Sequence, residues 1–281
     1  MTKLILSHYE VEPLLRARAQ APVSLESSPD LGRTTVQVHL TTEGILYPNG
    51  FLLSWEDAED IAAHVGVCFQ VTSTEVRPLR VYSPLTHRVV ALFPTGGPPT
   101  ITLSGIPMHR IQGTDPWRDT LEKVRAVRPS GRVLDTCMGL GYTALAAARR
   151  AKWVLTVELD PAVIRLAQEN PWSWDVFERD NIAVVEADVG EFIYTLPDHF
   201  FSVVIHDPPM FSLSGELYGL DFYAQVYRVL RERGRMFHYV GNPEGKMARN
   251  ITRKVVQRLK QAGFKRVRPA RSAFGLIAFK Q

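Results

Sequence analysis

Acidic residues stand where apolar runs end, at spacings that would bring them to one edge of a parallel sheet. Val133-Leu134 closes a run at Asp135, and Trp153-Val-Leu-Thr-Val157 ends at Glu158. Ile182-Ala-Val-Val-Glu186 is followed by Ala187-Asp188, and Phe201-Ser-Val-Val-Ile205 by His206-Asp207-Pro208-Pro209-Met210-Phe211. Short apolar runs of this kind read as buried parallel strands. Ligands of open parallel sheets collect at the carboxyl ends of the strands, so Asp135, Glu158 and Asp188 converge there. Between the first two acids lies Thr136-Cys-Met-Gly139-Leu-Gly141, whose glycines permit a turn that brings backbone close to a ligand. Glu158, 17 residues beyond Gly141, falls where a ribose would lie. The alternative for each feature is structural: a glycine turn in an unliganded sheet, Asp188 as a helix cap, Asp-Pro-Pro as a tight turn.

Two nucleotide ligands fit the glycine loop. Gly139-Leu-Gly141-Tyr-Thr-Ala144 matches the dinucleotide pattern G-x-G-x-x-A, a weak signal alone. The intervening Asp135-Thr-Cys-Met138 gives D-x-x-x-G-x-G instead, which resembles motif I of class I S-adenosylmethionine-dependent methyltransferases. That resemblance implies a cofactor site of Asp135, Gly139, Gly141, Glu158, Asp188 and Val189. Asp135 would serve the ammonium, Glu158 the ribose and Asp188 the adenine amino group, with Val189 against the ring. Asp207-Pro208-Pro209-Met210 resembles motif IV of methyltransferases that modify exocyclic amino groups of nucleobases. An sp² amine is a poor nucleophile, because its lone pair is delocalised into the ring. A carboxylate and a carbonyl that accept its two N–H bonds localise density on nitrogen, and prolines add no competing N–H. The motif's usual stacking aromatic is replaced by Met210, with Phe211 next, so either residue could pack on the base. From Val133 to Val240 the chain is similar to an archaeal-type family of predicted methyltransferases.

The expected fold is therefore α/β, a Rossmann-like class I methyltransferase sheet with an antiparallel final strand over residues 113–281, preceded by a small β-rich domain over 1–112. Pro116 opens a helix to about Val127, and His109, Arg110 and Trp117 could line the site. In the first region Asn49-Gly50 predicts a hairpin, and Ser54, three residues before Asp57, predicts a helix N-cap. Further strands are expected at Thr34–Leu40, Cys68–Thr72, Leu79–Ser83, Val89–Phe93 and Thr100–Leu103. This region carries no catalytic motif and reads as a lid or substrate platform. Later, Leu220–Leu230 reads as a helix closed by a glycine C-cap at Gly234, and Arg235–Val240 as a strand. Arg253–Ala262 reads as the last long helix.

Charge is unevenly spread. Residues 245–281 hold 11 Lys or Arg and no Asp or Glu, while the preceding chain holds 22 basic against 29 acidic residues. Such blocks meet phosphates, so residues 246–271 are expected to contact nucleic acid, RNA before DNA. The bland alternative is a solvated helix face, with Met247, Ile251, Val255, Val256 and Leu259 inward and Arg249, Arg253, Arg258 and Lys260 outward. The two cysteines, Cys68 and Cys137, have no metal-ligand spacing, and no metal is implied. They read as reduced thiols, and no apolar run reaches the roughly 18 residues of a membrane span, so a cytoplasmic protein without a membrane partner is expected. The function expected is S-adenosylmethionine-dependent N-methylation of an amino group, a nucleobase in RNA or DNA. The alternatives are aminopropyl transfer or small-amine methylation, and a non-catalytic nucleic-acid-binding protein.

Overall fold

The structure, a computed structural model, describes residues 3–209, 215–241 and 246–281, the last from residue 249 onward with side chains. It divides into two compact units, residues 1–116 with Arg165–Trp174, and Trp117–Ile164 with Asp175–Gln281.

The first unit is rich in short strands, arranged as one three-stranded and two four-stranded sheets. The Asn49-Gly50 hairpin forms between Gly44–Leu46 and Leu52–Ser54, with Gly50 at φ 81°. Ser54 caps the helix Trp55–Ala63 by accepting from the Asp57 amide at 3.0 Å. Leu4, Leu6, Val11, Leu14, Leu40, Trp55 and Ile61 build its core. Glu169 belongs to this unit because Lys3, Gln70 and Arg77 all donate to its carboxylate, at 2.7 to 3.1 Å. Four strands, Leu4–Leu6, Val23–Ser27, Val76–Pro78 and Ile106–Pro107, join those expected from sequence.

In the second unit seven strands make one sheet. They are β1 (Arg132–Asp135), β2 (Trp153–Glu158), β3 (Ile182–Glu186), β4 (Phe201–His206), β5 (Leu230–Tyr239), β6 (Arg266–Ala270) and β7 (Gly275–Phe279). The order is β3-β2-β1-β4-β5-β7-β6, parallel except for β7, which is antiparallel to both neighbours. Among the helices from Pro116 onward are α1 (Pro116–Val127), α2 (Tyr142–Ala148), α3 (Pro161–Glu169), α4 (Val189–Phe192), α5 (Leu220–Val229) and α6 (Lys246–Gln261), of which Pro116 and the Arg165–Glu169 half of α3 belong to the first unit. Strand order reverses between β2 and β4 around β1, and ligands of such sheets gather at that switch point. The core runs through Leu134, Val157, Val204, Tyr223, Met236 and Leu259.

One expectation is corrected. Gly234 does not cap α5, which ends at Val229 because Leu230 turns extended (φ −70°, ψ 134°) and pairs with Phe201. Arg231–Gly234 instead bulges out of β5, and pairing resumes at Val203 with Arg235. Arg233 takes the left-handed turn at φ 61°. No helix among the described residues is long and apolar enough to cross a membrane.

Candidate active site at the strand ends

Asp135 is the last residue of β1 and is fully buried. Its Oδ2 accepts from Thr143 at 3.0 Å and Thr156 at 2.8 Å, while Oδ1 has no hydrogen-bond partner among the described residues. A buried carboxylate oxygen without a donor is costly, and this one has room in its hydrogen bonding to accept a further N–H. Burial lifts the Asp135 pKa to about 7, against the two hydroxyls that lower it.

The glycine loop comes next in the chain. Gly139 (φ 54°) has open space where a Cβ would stand. Gly141 (φ 76°) caps α2, and a Cβ there would meet the Val176 side chain at 2.6 Å, so both conformation and packing require glycine. The Gly139 amide donates to Glu158 Oε2 at 2.8 Å, and the Asp160 amide to Oε1 at 3.1 Å. Burial raises Glu158 to about 7 as well, although these donors pull it down. Cys137, within the same loop, has its thiol pushed up by burial and by the Glu158 charge, which disfavours the thiolate. Asp188 is exposed and caps α4, its Oδ1 accepting from the Gly190 amide at 2.7 Å; Val189 beside it is buried. The cap is thus realised, and it leaves the second carboxylate oxygen for another donor.

β4 ends in His206, which is bonded through both ring nitrogens. Its Nε2 donates to the Leu217 carbonyl at 3.0 Å, so Nδ1 is the acceptor for Thr136 Oγ1 at 2.7 Å. Burial pushes His206 down to about 3, and it is a neutral strut. Tyr218 donates to the Pro209 carbonyl at 3.2 Å, so the Asp-Pro-Pro turn is held by the segment that re-enters after it. No described residue donates to the Pro208 carbonyl. Met210 and Phe211 lie outside the described residues.

Sequence reasoning missed the partner of Asp207. Lys123, on the buried face of α1, donates to Asp207 Oδ2 at 2.6 Å and stands 2.8 Å from Asp119 Oδ2, one helical turn back. Trp117, on the same helix and half-buried, packs edge-on against the buried Tyr142 at 6.0 Å between ring centroids. His109 belongs to the first unit, where it pairs with Thr100 at 2.9 Å.

The basic segment is only partly as expected. Val255 and Leu259 are buried, and Arg249, Arg253, Lys254, Lys260, Lys265, Arg266, Arg268 and Arg271 are exposed. Arg258 is not outward: its guanidinium turns in to donate to the Tyr218 carbonyl at 2.8 Å. Lys280 is buried and donates to the Tyr227 and Leu230 carbonyls. Met247 lies outside the residues with described side chains.

The chain matches no family profile. Over 74% of its length it resembles a crystal structure of spermidine synthase in complex with the transition-state analogue AdoDATO, with a TM-score of 0.61, 18% identity and 77% of that chain covered. Spermidine synthase from Thermotoga maritima gives a TM-score of 0.57, again at 18% identity, with 74% of this chain and 75% of that one covered. At that identity the likeness shows the fold, the Rossmann-like sheet of class I methyltransferases. A shorter match, 37% identity over 93 residues, joins 31% of the chain to 35% of the tRNA1(Val) (adenine(37)-N6)-methyltransferase of Musicola paradisiaca. The uncharacterized protein MJ1233 of Methanocaldococcus jannaschii is 40% identical over 237 residues, 83% of this chain and 80% of that protein. With identity of that extent, the chain belongs to the same family as MJ1233.

Proposed function

We propose that this protein transfers a methyl group from S-adenosylmethionine to an amino nitrogen, and that the amine belongs to a nucleobase, in RNA before DNA. The observation that carries the reading is the position of Asp207-Pro208 at the end of β4, next to β1, whose buried Asp135 has an oxygen without a donor. The partial similarity to a tRNA adenine-N6 methyltransferase supports the choice of nucleobase.

The residues suit the cofactor. Asp135 Oδ1 would take an ammonium N–H, Glu158 the ribose hydroxyls and Asp188 the adenine amino group, with Val189 beside the ring. Gly139 leaves open space for the close approach. When bound, S-adenosylmethionine would supply an electrophilic methyl group on its sulfonium, the carbon–sulfur electron pair staying with sulfur as the amine nitrogen's lone pair forms the new bond. Asp207 and the Pro208 carbonyl accept the two N–H bonds, orient the lone pair and stabilise the positive charge that grows on nitrogen. The surplus N–H proton then leaves to water.

Glu158→Ala should lower cofactor affinity by roughly 1.5–3 kcal/mol, the range for hydrogen bonds to a charged group. Calorimetry reads this directly, and an unchanged affinity would remove Glu158 from the site. Affinity should also depend on pH. Asp135 and Glu158 both titrate near 7 in the free protein, above their ordinary carboxylate values. Their neutral forms favour the fold, a contribution complete below about pH 4 and lost as pH rises through 7. A cationic ligand favours the charged forms, so binding should tighten from pH 6 to 8.

The exposed cations of α6 would hold the phosphates. Arg249→Ala, Arg253→Ala and Lys260→Ala together should weaken RNA binding across sequences and flatten its salt slope by up to about three contacts, at 0.7 to 0.9 each. An unaltered slope would return this face to simple solvation.

A further inference from the structure

Lys123 is hard to explain by packing alone. It is 1% exposed, lies between two carboxylates, and its Nζ is 4.6 Å from the centre of the Tyr239 ring. Burial opposes its charge, yet Asp207 and Asp119 outweigh that and hold its pKa above the ordinary lysine value. A buried ion group of this kind is a poor route to stability, since apolar replacements are often as stable. It does set the charge that an incoming group meets. Asp119 is fully buried, whereas Asp207 keeps 17% of its side chain exposed, so Asp207 faces the amine and Asp119 secures the lysine.

We infer that Lys123 is a positioning residue that fixes which amines the site accepts: by placing a cation on Asp207 it disfavours alkylammonium ions and admits uncharged amino nitrogens. The inference rests on Asp207 being the amine acceptor. An ammonium bonded to Asp207 at about 2.8 Å would come within about 5 Å of the Lys123 ammonium, and the repulsion offsets roughly half of the attraction. An alkylammonium must also lose a proton before its nitrogen can attack, and a carboxylate already engaged by a lysine is a poor base for it. An aryl amine arrives with its lone pair and needs only its N–H bonds accepted.

Lys123→Met alone removes the cation shared by two carboxylates, so the informative variant is Asp119→Asn/Lys123→Met, which takes the lysine charge off Asp207 and neutralises Asp119. Lys123→Arg preserves the charge. Putrescine, a small dication, is the probe, titrated calorimetrically with S-adenosylhomocysteine bound. The double variant should bind putrescine at least about tenfold more tightly than wild type, with Lys123→Arg resembling wild type; tenfold is the scale of one ordinary charge interaction. A folded double variant that binds S-adenosylhomocysteine normally but takes putrescine no better would overturn the inference. A second measurement needs only the wild type, supplied with methyl-labelled S-adenosylmethionine, RNA and putrescine together. Label in RNA alone supports the inference. Label in putrescine overturns it while leaving amino methylation standing, and a wild type that binds no S-adenosylhomocysteine removes the cofactor reading and the inference with it.

Discussion

Asp207→Asn is expected to lower kcat by about 10²–10³, the usual cost of removing one preorganised group from a developing charge. Cofactor affinity should stay within about twofold. Asparagine keeps the shape, but it loses the negative charge that balances Lys123 and stabilises the nitrogen as it becomes cationic. Steady-state kinetics on an RNA substrate, with a separate cofactor titration, read the two effects apart. Undiminished turnover in Asp207→Asn would rule out the proposed acceptor. A parallel loss of cofactor binding would show instead that the variant disturbs the glycine loop.

The largest effect on stability is expected at Lys123. Replacing it with Met should cost about 3–5 kcal/mol, because one fully buried carboxylate and one largely buried carboxylate lose their shared cation. Adding Asp119→Asn should recover part of that loss, since one of the stranded charges is gone. Denaturant unfolding of the single and double variants measures the recovery. If the single change proves neutral, the ion group contributes little to the fold, and Lys123 is not charged as described.

Much of this arrangement is legible in the chain. Apolar runs ending at Asp135, Glu158 and Asp188 predict three strand ends of one sheet, because parallel strands buried on both faces must be continuously apolar. Ser54 and Asn49-Gly50 are local signals, and the helix cap and the hairpin both form. What escaped was decided by tertiary contacts. Asp119 and Lys123 sit at i and i+4, a spacing ordinarily met on a solvated helix face. Their shared face with Val127, which is buried, was the available signal. The α5 terminus was misplaced because Gly234 invites a C-cap, whereas the pairing of Leu230 with Phe201 starts the strand first. Arg258 looked like one more outward cation, and only the returning Tyr218 segment gives it a carbonyl to hold. Leu4–Leu6 offers three apolar residues, too few to establish a period, and becomes a strand through antiparallel pairing with Phe69–Val71.

The central claim is methyl transfer to a nucleobase amino group, and one measurement tests it most directly. RNA and DNA are incubated with the protein and S-adenosylmethionine carrying a deuterated methyl group, then digested and analysed as nucleosides by mass spectrometry. The prediction is a nucleoside from RNA that bears the deuterated methyl on an exocyclic nitrogen and is absent when Asp207→Asn replaces the wild type. Labelled nucleosides found in neither nucleic acid, with the methyl group appearing on a polyamine or on nothing, would contradict it.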